Sequence, residues 1–263
     1  MFKKFLLAVA LCATAGCSSV PITGRNQLSL VSDQEINTMS ADEYQKVLQT
    51  SRLSSNASQT AMVRRVGQRI QQAVETYFRQ QNQSAQLEGY QWEYNLIEDP
   101  QENAWCMPGG KVAVYTGILP ITEDENGLAV VLGHEIAHAV ARHSNERMSQ
   151  QMAAQGLGGV LSAAVGQNPS ATQNVFLQAV GVGSQVGLLK FSRTQESEAD
   201  HLGLIFMAMA GYNPDTAVSF WQRMAAKQQA GNIELLSTHP SDATRIAAIQ
   251  RELPEARKYY TAR

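Results

Sequence analysis

This chain is short of everything that would mark it as a nucleic-acid or membrane-spanning protein. Only 17% of its 263 residues are charged, and Lys plus Arg number 21 against 23 for Asp plus Glu. A formal net charge of −2 leaves no basic surface for a nucleic-acid backbone. No apolar run reaches the roughly 18 residues that a transmembrane helix needs. Cysteine is scarce: Cys12, Cys17 and Cys106 are the only three, so no disulfide framework is expected. Residues 148–189 hold no charged side chain at all and are rich in Gly, Ala, Ser and Gln. They read as a pair of short helices around Gln167-Asn-Pro-Ser170, either packed on the domain or serving as a lid over a cleft. The remaining composition, 44% hydrophobic, is that of an ordinary globular domain.

What is present begins with a short leader. Lys3 and Lys4 precede a short apolar stretch, Phe5 to Leu11, and Gly16-Cys17 follows it. This resembles a bacterial lipoprotein signal, with Cys17 the lipidated first residue of the mature chain; Ala13-Thr14-Ala15 offers an ordinary signal-peptidase site as the competing reading. The expected organisation is a signal over 1–16, a lipidated tether over 17–26, and one domain over 27–263. A lipid on Cys17 would anchor the chain to a membrane without spanning it.

Within the domain, Ser32-Asp-Gln-Glu35 has the form of a capping box opening a helix to about Gln49. Residues 57–78 carry Met62, Val66, Ile70 and Val74 on one helical face. Tyr90 to Ile97 alternates and reads as a strand, Asn103 to Gly110 as a turn, and Lys111 to Thr116 as a second strand. A long helix is expected from Glu123 to about Met148, then helices to Ala210, from Pro214 to about Gln229, and from Asp242 to Leu253.

The chemistry lies in His134-Glu135-Ile136-Ala137-His138. Helical residues four apart share a face, so the two imidazoles can hold one zinc ion with Glu135 beside it as general base. Random placement would give this pattern roughly 0.006 times in a chain of this composition. A third protein ligand is required. Glu196-Ser-Glu-Ala-Asp200 supplies candidates, with Glu196 and Asp200 on one face. Asp200 can accept the free ring N–H of a ligand histidine. An acidic first turn that merely complements the helix dipole is the alternative, and it suits Glu198 best. His143 reads as a helix-end cation or a packing group, and His201 as facing away from the metal. Cys106 reads as a small apolar residue near a strand.

Four pieces occur in order: Asn103-Ala with Pro108-Gly-Gly110; His134 to His138 with Arg142-His143; Ser192-Arg193 with Glu196-x-Glu198-Ala-Asp200; and Thr238-His-Pro240. Together they resemble the zinc metallopeptidases of the HtpX and CaaX-prenyl-protease family, and within it the periplasmic lipoprotein branch of the LoiP and BepA kind, without the C-terminal repeat domain. The resemblance implies an α+β fold, a mostly helical gluzincin-type domain with a small sheet beside the zinc helix. It implies one Zn2+ held by His134, His138 and Glu196 (not Glu198), and a substrate edge strand formed by Lys111, Val112, Ala113, Val114 and Tyr115. For His239 three readings stand: a transition-state donor, a fourth zinc ligand that keeps the site latent, or a loop residue buttressing Pro240. The implied activity is hydrolysis of unfolded or misassembled cell-envelope proteins in a bacterial periplasm, at the inner face of the outer membrane. The alternative is a zinc-stabilised, chaperone-like assembly factor with outer-membrane assembly partners and little proteolysis.

Overall fold

The computed structural model describes residues 17–20, 23–154, 169–180, 191–228, 235, 239 and 243–262. The signal over 1–16 and most of the expected helical pair or lid over 148–189 lie outside them. No described helix is long and apolar enough to cross a membrane.

The architecture is α+β and mostly helical, as expected. Helix α1 (Asp33–Thr50) starts where its capping box sits: Ser32 accepts from the Glu35 N–H, and the Glu35 side chain returns to the Ser32 backbone. Helix α2 (Ala57–Gln80) buries Val63, Val66, Ile70, Val74 and Phe78 along one face. Strands β1 (Cys17–Ser19) and β2 (Asn26–Leu28) pair antiparallel, with Cys17 opposite Leu28. Residues 17–26, expected as a tether, therefore carry a strand, and Val20 is buried in the core.

A three-stranded sheet follows in the order β3-β5-β4 (Glu93–Ile97, Lys111–Tyr115, Ala104–Met107). Strands β3 and β5 are parallel, while β4 and β5 form an antiparallel hairpin through Pro108-Gly109-Gly110. Gly109 and Gly110 both sit at φ near +80°, a conformation closed to most L-residues. The turn expected over 103–110 is thus only its second half; the first half is β4. Because β5 is paired on both sides, Lys111 to Tyr115 form the central strand. The expectation that this strand lies at the sheet's edge is corrected: among the described strands the edges of this sheet are β3 and β4.

Helix α3 (Glu125–Val140) is capped by Asp124, whose side chain accepts from the Gly127 N–H. Every residue from Gly127 to Val140 is buried, which makes this an internal helix enclosed on all sides. It ends about eight residues earlier than the spacing suggested, at Val140 rather than Met148. Arg142 turns left-handed at φ +62°, and a new helix, α4 (His143–Ala154), begins after it. Helices α5 (Pro169–Val180), α6 (Arg193–Met209), α7 (Thr216–Gln228) and α8 (Ala243–Ala256) complete the described fold.

The crossing of α3 and α6 positions the functional groups. Gly133 and Gly203 face one another, and a Cβ on Gly133 would lie 2.8 Å from the Gly203 carbonyl oxygen. Two glycines let the two backbones touch. That contact places His134 and His138 of α3 against Glu196 and Asp200 of α6.

Candidate metal centre

Four buried donors converge: His134, His138, Glu196 and His239, with ligand atoms all within 4.8 Å of one another. His134 Nε2 lies 3.1 Å from His138 Nε2 and 3.1 Å from His239 Nδ1. Glu196 Oε1 lies 2.8 Å from His239 Nδ1 and 3.4 Å from His138 Nε2. A tetrahedral zinc ion with bonds of about 2.0–2.1 Å holds its ligand atoms about 3.3 Å apart. The donor set, three imidazoles and one carboxylate, and its spacing therefore fit zinc. Two buried carboxylate oxygens at the same place, Glu135 Oε1 and Glu196 Oε2, accept no well-formed hydrogen bond from the described residues, although Arg245 Nη1 stands 3.0 Å from the latter. Buried polar atoms are rarely left so, and a cation with its water would satisfy both.

Electrostatics agree with this arrangement. Burial alone would raise the Glu196 carboxyl, but the charges of His239 and Arg245 and hydrogen bonds to His134 and His138 hold it well below the ordinary carboxylate range. Glu135 moves the other way. Burial raises its pKa, opposed by His239 and His134, which is the direction a general base requires. His239 Nε2 lies 3.5 Å from Glu135 Oε1. His239 thus stands between the base and the other donors. Its ring is stacked on Phe191 at 5.0 Å, and Phe191 in turn lies under the Arg147 guanidinium at 4.1 Å.

His134 is oriented from behind. Its Nδ1 donates to Asp200 Oδ1 at 3.0 Å, leaving Nε2 for the metal face. Asp200 is gripped by Arg245 in a two-point contact of 2.9 and 2.8 Å. The Arg245 guanidinium also lies 3.6 Å over the Trp221 ring. Sequence reasoning missed Arg245, six residues beyond His239 on the last helix; no spacing rule connects it to Asp200. It also misread Glu198. That carboxylate is buried and accepts from Thr23, Arg25 and His143, so it is more than a complement to the helix dipole. His201 does face away, 2.8 Å from Glu252. Cys106 is a free thiol buried in β4, pushed up by burial and then by Glu135, which makes it a poor nucleophile.

The space beside the donors is bounded by Trp105, Cys106, Glu135, His138, Phe191 and His239, and it amounts to about 20 Å³. That is little more than one water, roughly 10–15 Å³ on the same measure.

The profile of Peptidase family M48 matches residues 65–253, which take in every donor named above. The chain is 38% identical over 242 residues to the mitochondrial metalloendopeptidase OMA1 of Schizosaccharomyces pombe, covering 90% of this chain and 66% of that protein. The corresponding protein of Saccharomyces cerevisiae is also 38% identical, over 66% of this chain and 50% of its own length. The β-barrel assembly-enhancing protease of Yersinia pestis is 28% identical, over 64% of this chain and 36% of its own. The chain thus spans between about a third and two thirds of the length of these relatives. They also correct the location expected from the leader. Relatives at 38% identity are mitochondrial proteins, so the bacterial periplasmic, lipid-anchored assignment does not stand. The chain belongs to Peptidase family M48, and its buried donor set fits the zinc ion of that family.

Proposed function

We propose that the chain is an endopeptidase for extended segments of unfolded polypeptide, with His134, His138 and Glu196 as zinc ligands and Glu135 as general base. The observation that carries this reading is the convergence of those three donors on one point with a buried carboxylate beside it. Zinc bound there supplies Lewis acidity for the scissile carbonyl and acidifies water. Glu135 takes the proton of the attacking water on its unbonded Oε1 and passes it to the leaving amine. Asp200 and Arg245 keep the His134 ring from rotating. Strand β4, at the sheet edge next to α3, accepts substrate backbone as an added strand, which favours unfolded segments over any one side-chain sequence.

His239 supports a closed resting state. It completes a four-donor set, and a closed set is structural in character. The same closure favours a second reading, a zinc-stabilised chaperone-like protein with little proteolysis. Cleavage of an unfolded model protein separates them. Wild type should cleave, Glu135→Gln should retain zinc and lose cleavage, and His239→Ala should cleave faster. Zinc in all three with cleavage in none would leave the chaperone-like reading.

A further inference from the structure

Among the described residues no carboxylate meets the Nδ1 of His138, the second metal-facing histidine. His138 Nδ1 instead meets His143 Nδ1 at 2.8 Å. His143 is fully buried, and its other nitrogen, Nε2, lies 3.3 Å from Glu198 Oε2. The protons on this chain are determined from its far end. Glu198 accepts from Arg25 Nε at 2.8 Å and from Thr23 Oγ1 at 2.6 Å. A carboxylate so engaged is ionised and can only accept. His143 Nε2 must then be the donor, and in a neutral ring Nδ1 must be the acceptor. His138 supplies the proton for the 2.8 Å contact from its own Nδ1. Its Nε2 is left as a lone pair, facing His134 and Glu196.

The left-handed turn at Arg142 makes this possible. On an uninterrupted helix His143 would point well away from His138, about 140° around the axis. Leaving the helix at Arg142, whose side chain is tied to Asp33 at 2.6 Å, swings His143 back under His138. The anchor at the other end also lies outside the family match, which begins at residue 65. Arg25 holds Glu146 through both its oxygens at 2.7 and 2.8 Å. Glu146 in turn accepts from Gln195 at 2.7 Å, and Gln195 closes the capping box of the helix that carries Glu196.

We propose that His143 is a positioning residue: with Glu198, itself held by Thr23 and Arg25, it fixes His138 in the tautomer whose Nε2 is free for the metal. The N-terminal segment is then part of the metal centre's scaffold. This inference rests on His138 being a zinc ligand.

The test is the zinc affinity of the full chain, measured by competition with a chelator, together with the visible spectrum of the cobalt-substituted protein. His143→Phe keeps the ring volume and removes both nitrogens. It is expected to weaken zinc binding ten- to a hundredfold, the range for lost orienting partners, and to alter the cobalt spectrum. His143→Gln, whose amide can both accept and donate, is expected to recover most of the affinity. Wild-type affinity in His143→Phe, or equal loss in both variants, would overturn the proposal. Should His143→Phe fail to fold by circular dichroism, Glu198→Ala takes its place with the same expectation, and unchanged affinity there overturns it. If wild type binds zinc and these variants bind it equally well, only this inference fails; if wild type binds none, the metal centre itself fails with it.

Discussion

The two histidines of α3 are one turn apart and are held in different ways. His134 leans directly on Asp200, which is locked by Arg245 in a buried ion pair. His138 leans on a neutral ring, and the charge sits one residue further out, on Glu198 and Arg25. The His134 side is a short ionic chain enclosed by α6 and α8; the His138 side is a longer one that ends on a half-exposed strap. One motif of five residues thus rests on two separate supports, drawn from opposite ends of the chain.

The comparison breaks most severely on the His134 side. Asp200→Ala removes the two-point partner of the buried Arg245 guanidinium, leaving it Glu196 at 3.0 Å, and breaking a buried pair is worth up to about 3–5 kcal/mol; urea unfolding should show a midpoint lowered accordingly. Next comes the helix crossing. Gly203→Ala puts a methyl 2.9 Å from the Gly133 carbonyl carbon and the His134 nitrogen, and overpacking of this kind is expected to destabilise by about 1–3 kcal/mol. Zinc affinity should fall with it, because the two ligand-bearing helices must separate.

Those two positions also mark how far the sequence could be read. The histidine motif, the acidic pair on α6 and the capping box of α1 were all legible, since each is a local spacing on one helix. Strand β4 was not, because Pro108-Gly109-Gly110 made its whole neighbourhood look like a turn. The central place of β5 follows from β4 and was lost with it. The break at Arg142 has no glycine or proline to announce it; a left-handed arginine is held there by tertiary contacts, including Asp33. Arg245 and the Glu198 network join residues 45 to 175 positions apart, a separation that no periodicity encodes.

On the His138 side the effects should be smaller. Arg25→Ala removes contacts to Glu146 and Glu198 and is expected to lower stability by about 1–3 kcal/mol, read by thermal melting. The pH dependence sharpens the same point. Burial alone would raise Glu146, yet Arg25 and Gln195 hold its pKa below the ordinary 4.5. A carboxyl depressed in the folded state stabilises above its unfolded pKa and loses that contribution as pH falls through the folded value. Stability should therefore decline below about pH 4.5, and Glu146→Gln should flatten that decline in acid-unfolding curves. The smallest effect belongs to the exposed Arg257–Asp215 pair, remote from both chains of contacts. Arg257→Ala should change stability by no more than about 1 kcal/mol, and a larger loss would mean that surface pairs matter here as much as the buried supports.

The most direct test of the account is X-ray absorption at the zinc edge on the purified protein, with His239→Ala alongside. One zinc per chain is expected, surrounded by four nitrogen and oxygen neighbours at about 2.0–2.1 Å, with the imidazole signal reduced in the variant. A sulfur neighbour near 2.3 Å, which would bring Cys106 into the centre, or the absence of zinc, would contradict it.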